Sequence, residues 1–109
     1  IYRVKKAIIS NAFKKKCFTE LELELIEKKG YITAATNFAA KEAVAKAFGE
    51  GFRNFKLKDI EILRRKNGKP YIILHNNAEK VYLEKGIKNI DVSLSHCNDY
   101  AVAFVIIEN

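Results

Sequence analysis

Histidine, cysteine and proline are scarce in this chain: two, two and one in 109 residues. With only His75 and His96, a histidine-rich zinc site is not expected. Cys17 and Cys97 lie far apart, and neither has a second pair of ligands beside it. A disulfide framework is therefore not expected. Free thiols in a reducing cytosol, and so a cytoplasmic location, are the expectation. Cys97 follows His96, but adjacency in sequence is not the geometry of a nucleophile and its base. No apolar run approaches the roughly 20 residues of a membrane-spanning helix. The longest, Ala101 to Ile107, reads as a buried strand. The N-terminus lacks the apolar core of a signal peptide. There is no internal repeat, linker or low-complexity segment. No methionine opens the chain, so further residues are expected ahead of Ile1.

What is present fits one small globular domain: 49% hydrophobic and 30% charged residues, enough for a modest core. The net charge of +7 favours a partner rich in negative charge. Phosphates, nucleic acid, an acidic protein and an anionic membrane surface all qualify. The basic N-terminal part, Arg3 through Lys16, carries few aromatic residues, so stacking on single-stranded nucleic acid has little support.

Helix and strand signals alternate along the chain. Val4, Ile8 and Ala12 recur at helical spacing and predict a short helix within Ile1 to Phe13. Thr19-x-x-Glu22 matches a capping box, Lys28 and Lys29 suit a helix C-terminus, and Gly30 stands where a terminating glycine belongs. The alternation Leu21, Leu23, Leu25 is a rival strand signal, but the caps favour helix. Ile32 to Phe48 is the main helix, rich in alanine and stopped by Gly49. Asp59 to Leu63 reads as a strand, Asn67-Gly68 as a hairpin turn and Tyr71 to Leu74 as the returning strand, with Pro70 at its start. A short helix is expected over Asn77 to Lys85, capped by Asn76 or Asn77 and ended by Gly86. Two final strands, Ile90 to His96 and Ala101 to Ile107, flank a turn-like Cys97 to Tyr100. The class is α+β, with hairpins and one dominant helix.

Two stretches carry candidate chemistry. Phe38, Glu42 and Lys46 are spaced by four on the main helix and share a face, with Lys41 about 100° round from Glu42. The plain alternative is a solvated Glu–Lys pair, contributing about 0.2–0.5 kcal/mol. Against it, the pair sits among alanines, and the helix runs into Gly49-Glu50-Gly51, where backbone N–H groups can approach a phosphate. A carboxylate beside lysines suits Mg²⁺ bound next to phosphoryl oxygens. The second stretch is Ser93-Leu94-Ser95-His96. On a strand Ser95 and His96 face opposite ways, so no Ser–His pair is implied.

The segment Asn37-Phe38-Ala39-Ala40-Lys41-Glu42-Ala43, followed by Lys46-Ala47-Phe48-Gly49-x-Gly51, resembles the signature of the holo-acyl-carrier-protein synthases, the small phosphopantetheinyl transferases. Phe18-Thr19-Glu20, Asp59 to Ile62, Asn67 to Tyr71, Ser93 to His96 and Tyr100 to Ala103 follow in the family's order, so the resemblance runs over nearly the whole chain. It implies antiparallel strands packed on one long helix, and a homotrimer with each site between two subunits. It also implies a Mg²⁺-dependent transfer of 4′-phosphopantetheine from coenzyme A to a serine of apo acyl carrier protein. Glu42 and Lys46 become the catalytic residues, with Glu42 the Mg²⁺ ligand and Lys46 on the phosphates. Lys41, Gly49, Gly51, Ser95 and His96 become coenzyme A contacts. Arg3 and Lys16 face the carrier protein. Neither a membrane nor nucleic acid is expected as a partner. The family's first strand bears a Gly-x-Asp whose Asp is a second metal ligand, and that strand is expected upstream of residue 1. Asn37 and Lys16 stand where arginine is usual. The runner-up reading is a non-catalytic basic module for nucleic acid or an anionic surface.

Overall fold

A computed structural model of the chain describes residues 2–5, 11–49, 55–97 and 100–109, the first of these stretches by its backbone. The elements run β1 (Tyr2–Lys5), α1 (Asn11–Cys17), α2 (Glu20–Lys29), α3 (Tyr31–Phe48), β2 (Ile60–Arg64), β3 (Pro70–Leu74), α4 (Asn76–Glu84), β4 (Asn89–Cys97) and β5 (Tyr100–Glu108). The architecture is α+β, with antiparallel strands throughout: a three-stranded sheet in the order β1-β5-β4 and a two-stranded hairpin, β2-β3.

The N-terminal segment departs from expectation. Tyr2 to Lys5 is a strand, paired antiparallel with β5 so that Arg3 stands opposite Val102. The described part of the helix is Asn11–Cys17. The helical spacing of Val4 and Ala12 loses to the edge of β5, whose open N–H and C=O groups the strand satisfies. The apolar–basic alternation Tyr2-Arg3-Val4-Lys5 is the signal that carries this strand.

The next two helices form as their caps dictate. In α2 the Thr19 side chain accepts from the Glu22 N–H at 3.2 Å, and Glu22 reaches back to the Thr19 N–H at 3.1 Å. Gly30, at φ 95°, separates α2 from α3. Gly49 ends α3 in the left-handed region at φ 75°, donating its N–H to the Lys46 carbonyl. An added Cβ at Gly49 would meet nothing within 4 Å, so the backbone angle is what asks for glycine there.

The hairpin closes with Arg64 opposite Pro70, around a turn in which the Lys69 N–H donates to the Asn67 side chain. Helix α4 starts at Asn76, with His75 in the N-cap position making no side-chain cap. That corrects the expected Asn cap. The Asn76 amide donates to Asp59 and the His75 ring meets Glu61, so both side chains turn toward β2 and the 3-10 turn that precedes it (Leu57–Asp59).

The main core joins α3 (Ala39, Ala40, Ala43, Val44, Phe48) to Ile60 and Ile62 of β2, Val92 of β4 and Ala103 of β5. A smaller cluster unites Cys17, Phe18, Ile26 and Ala34, with Phe13 and Phe38 against it. Among the described residues no helix is long and apolar enough to cross a membrane.

Candidate functional site on the edge of α3

Helix α3 is mostly interior. Twelve of its eighteen residues are buried, Lys41 among them, and only a narrow edge that includes Glu42 and Lys46 reaches solvent. Glu42 is partly buried and Lys46 is exposed, one turn apart. This edge carries one carboxylate and one ammonium, Glu42 and Lys46.

Lys41 does not belong to it. Its side chain has no solvent exposure, and its ammonium donates to Glu22 at 2.7 Å and to the carbonyls of Leu57 and Ile60. It also lies over the Phe18 ring, 5.4 Å from the centroid. The expected coenzyme A contact at Lys41 is therefore corrected: all its donors point inward. The sequence held a usable sign of this. The neighbours one turn away are Asn37, Phe38, Val44 and Ala45, a set suited to an interior face.

Lys41 is one member of a buried polar network that sequence reasoning missed. Glu22 accepts from Lys41, from the Asn37 amide at 3.0 Å and from the Ile62 backbone N–H at 3.2 Å. Asn37 also donates to the Ile62 carbonyl at 2.9 Å and accepts from Arg64 at 2.8 Å. Thr19 donates to Glu61, whose other oxygen meets His75 at 3.0 Å. Among the described residues no buried side-chain nitrogen or oxygen lacks a partner. Burial pushes the Glu22 carboxyl up and the Lys41 ammonium down from their ordinary values, and their mutual attraction opposes both shifts. Burial likewise lowers Arg64, against the pull of Glu22. Thr19-x-x-Glu22 announced the cap, but nothing local announced that the same carboxylate would be the counter-ion of Lys41.

The other expected residues are spread over the molecule. Ser95 and His96 are both exposed near the end of β4, and His96 stands opposite Ala101 of β5. Lys16 is exposed on α1, and Arg3 lies on β1. Gly49 caps α3, and Gly51 lies outside the described residues. A groove of about 730 Å³ opens between the starts of α2 and α4, over Thr19, Glu61 and His75; none of Glu42, Lys46, Ser95 and His96 lines it. Among the described residues no group of three or more His, Cys, Asp or Glu could hold a metal ion.

Residues 1–105 match the profile of the 4′-phosphopantetheinyl transferase superfamily. The chain belongs to that superfamily. The holo-[acyl-carrier-protein] synthase of Fusobacterium nucleatum is 44% identical over 110 residues, covering 98% of this chain and 90% of the relative. Among superfamily structures, the holo-[acyl-carrier-protein] synthase of Neisseria meningitidis superposes with a TM-score of 0.84 at 34% identity, over 93% of this chain and 83% of that one. The Helicobacter pylori synthase, solved in complex with coenzyme A, gives 0.83 at 25% identity, over 98% and 96%.

Proposed function

We propose that this chain transfers 4′-phosphopantetheine from coenzyme A to a serine hydroxyl of apo acyl carrier protein. The near full-length match to holo-[acyl-carrier-protein] synthases carries the reading. The serine oxygen attacks the β-phosphorus of the coenzyme A diphosphate, and the bond to the nucleotide phosphate breaks. Holo carrier protein forms, adenosine 3′,5′-bisphosphate leaves, and the serine gives up its proton. Such a step depends mainly on positioning and on neutralising phosphoryl charge.

The Glu42–Lys46 edge suits both tasks. Lys46 is an exposed cation one turn beyond Glu42 and takes the phosphoryl oxygens. Mg²⁺ keeps several waters and takes one or two carboxylates together with substrate phosphates. One partly exposed carboxylate at Glu42 therefore fits it, without a cage of protein ligands. When bound there, the ion would offset the charge of the diphosphate. Ser95 and His96, exposed on β4, are assigned to the nucleotide end of coenzyme A. Gly49 and Gly51 are assigned to the ligand's close passage, and Arg3 and Lys16 to the acidic carrier protein.

The homotrimer is part of the same reading. Tyr100, Phe104 and Ile106 alternate along one face of β5 and are 46%, 44% and 52% exposed. Burial against other copies would remove that apolar surface from water. A cytoplasmic location is consistent with the two free cysteines.

The test is incubation of the chain with coenzyme A, Mg²⁺ and apo carrier protein, followed by intact mass. One phosphopantetheine added per carrier protein is expected; an unaltered mass overturns the reading.

A further inference from the structure

The buried face of α3 is unusual in what it lacks. Its interior positions include Ala34, Ala35, Ala39, Ala40, Ala43 and Ala45, and its only large buried apolar side chains are Val44 and Phe48. Small side chains allow close approach, but they give a nearly smooth cylinder. Interdigitating knobs, which normally fix how a helix is rotated and how far it slides, are few on such a face. Something else must set the register of α3.

The Glu22–Lys41 pair has the geometry for it. Lys41 leaves α3 near its middle and engages three acceptors that belong to other elements. They are the Glu22 carboxylate of α2 and the carbonyls of Leu57 and Ile60, which bracket the entry to β2. Glu22 is fixed in turn by the Ile62 N–H of β2 and by its own capping box. Asn37, one turn before Lys41 on the same face, repeats the bridge: it bonds both Glu22 and the Ile62 carbonyl, and accepts from Arg64. Rotating α3 by one residue, about 100°, or sliding it by one would break all of these bonds at once. It would also leave a buried charge without its counter-ion. Setting registry is the best-attested use of buried polar and ionic groups.

We propose that Glu22 and Lys41 are a register pin for α3, and so positioning residues for Glu42 and Lys46. With Lys41 locked inward, its neighbour Glu42 is turned about 100° away, to the edge of the helix. Lys46 emerges one turn further on. Neither side chain of the pin is exposed to solvent, so it acts on the site only through the placement of α3. The activity part of this inference rests on the proposed transferase reading; the register part does not.

The experiment replaces the pair with apolar residues of similar size, Glu22→Leu with Lys41→Met. Each variant also carries a reporter thiol, Ala45→Cys, buried on α3, in a Cys97→Ser background, with labelling at position 45 separated from labelling at Cys17 by peptide mass. Maleimide labelling is read at a fixed interval below each variant's own Tm. Ile26→Ala, in the smaller core cluster, serves as the control for general loosening. Labelling of the reporter is expected to speed up at least tenfold over that control. Transfer kcat is expected to fall at least tenfold, with the KM for coenzyme A within threefold, because misplaced reacting groups cost orientation more than binding. Should the double variant fail to fold, Glu22→Gln, which keeps the shape and loses the charge, carries the same two readouts. Labelling no faster than in the control overturns the proposal, and so does an unchanged kcat in an active protein. If the parent chain transfers nothing, the transferase reading falls while the labelling comparison still decides the pin.

Discussion

Lys41 Nζ lies 2.7 Å from Glu22 Oε1, and neither side chain is exposed to solvent. The next residue, Glu42, reaches the surface. Two adjacent charges on one helix thus have opposite fates, and their substitutions should separate stability from activity.

Lys41→Met leaves the Glu22 carboxylate buried with amide donors but no cation. Removing one partner of a buried pair costs about 3–5 kcal/mol. Urea unfolding should show a loss of that size, and a change below about 1 kcal/mol would be incompatible with a true buried pair.

Glu42→Ala should do the reverse. Glu42 is only partly buried, so the unfolding midpoint should move less than it does for Lys41→Met. Phosphopantetheine transfer should fall at least a hundredfold, and the response of the remaining activity to added Mg²⁺ should flatten. Unchanged turnover would remove Glu42 from the metal site.

Thr19→Ala removes the acceptor for the Glu22 N–H and the hydroxyl that donates to Glu61. A lost N-cap costs about 0.5–2 kcal/mol. Thermal unfolding should register that loss, and Thr19→Ser, which restores the oxygen, should recover most of it. Failure of serine to recover it would point to lost methyl packing instead.

The two cysteines should be chemically distinct. Cys97 is exposed and Cys17 is buried, so a thiol reagent should modify one site in the native chain and two after unfolding. Burial holds the Cys17 thiol above its ordinary value of 9.0. The native state therefore keeps this proton at a pH where the unfolded state has lost it. Cys17 should then subtract from stability as pH rises past about 9. The Tm advantage of the parent over Cys17→Ala should shrink there; a constant difference from pH 7 to 10 would contradict the assignment.

Sedimentation should give three times the chain mass, and Phe104→Asp should reduce it to one. A monomeric parent would leave the exposed face of β5 without its proposed cover.

Much of the fold is legible in local chemistry. The capping box at Thr19 and Glu22, the glycines that end α2 and α3 and the Asn67-Gly68 turn are all set by neighbours within a few residues. They form where expected, whereas the apolar run Ala101 to Ile107, expected to be buried, leaves Phe104 and Ile106 exposed on one face of β5. The first strand is not legible locally, because its helical spacing says nothing of β5. The edge it pairs with lies about a hundred residues further along the chain. The cap of α4 is not legible locally for the same reason: His75 and Asn76 turn toward Glu61 and Asp59 instead of their own helix end.

The sequence by itself determined the elements other than the first strand, the α+β class and the family-like run around Glu42, because propensity, capping and periodicity are short-range. Only the tertiary structure decided which charge of the Lys41-Glu42 pair goes inside. Both residues sit among alanines, and a step of one along the helix is a turn of about 100°. Which side of that turn is the interior depends on Glu22, Leu57, Ile60 and Ile62 meeting α3 in space. Their contacts span up to 40 positions of the chain.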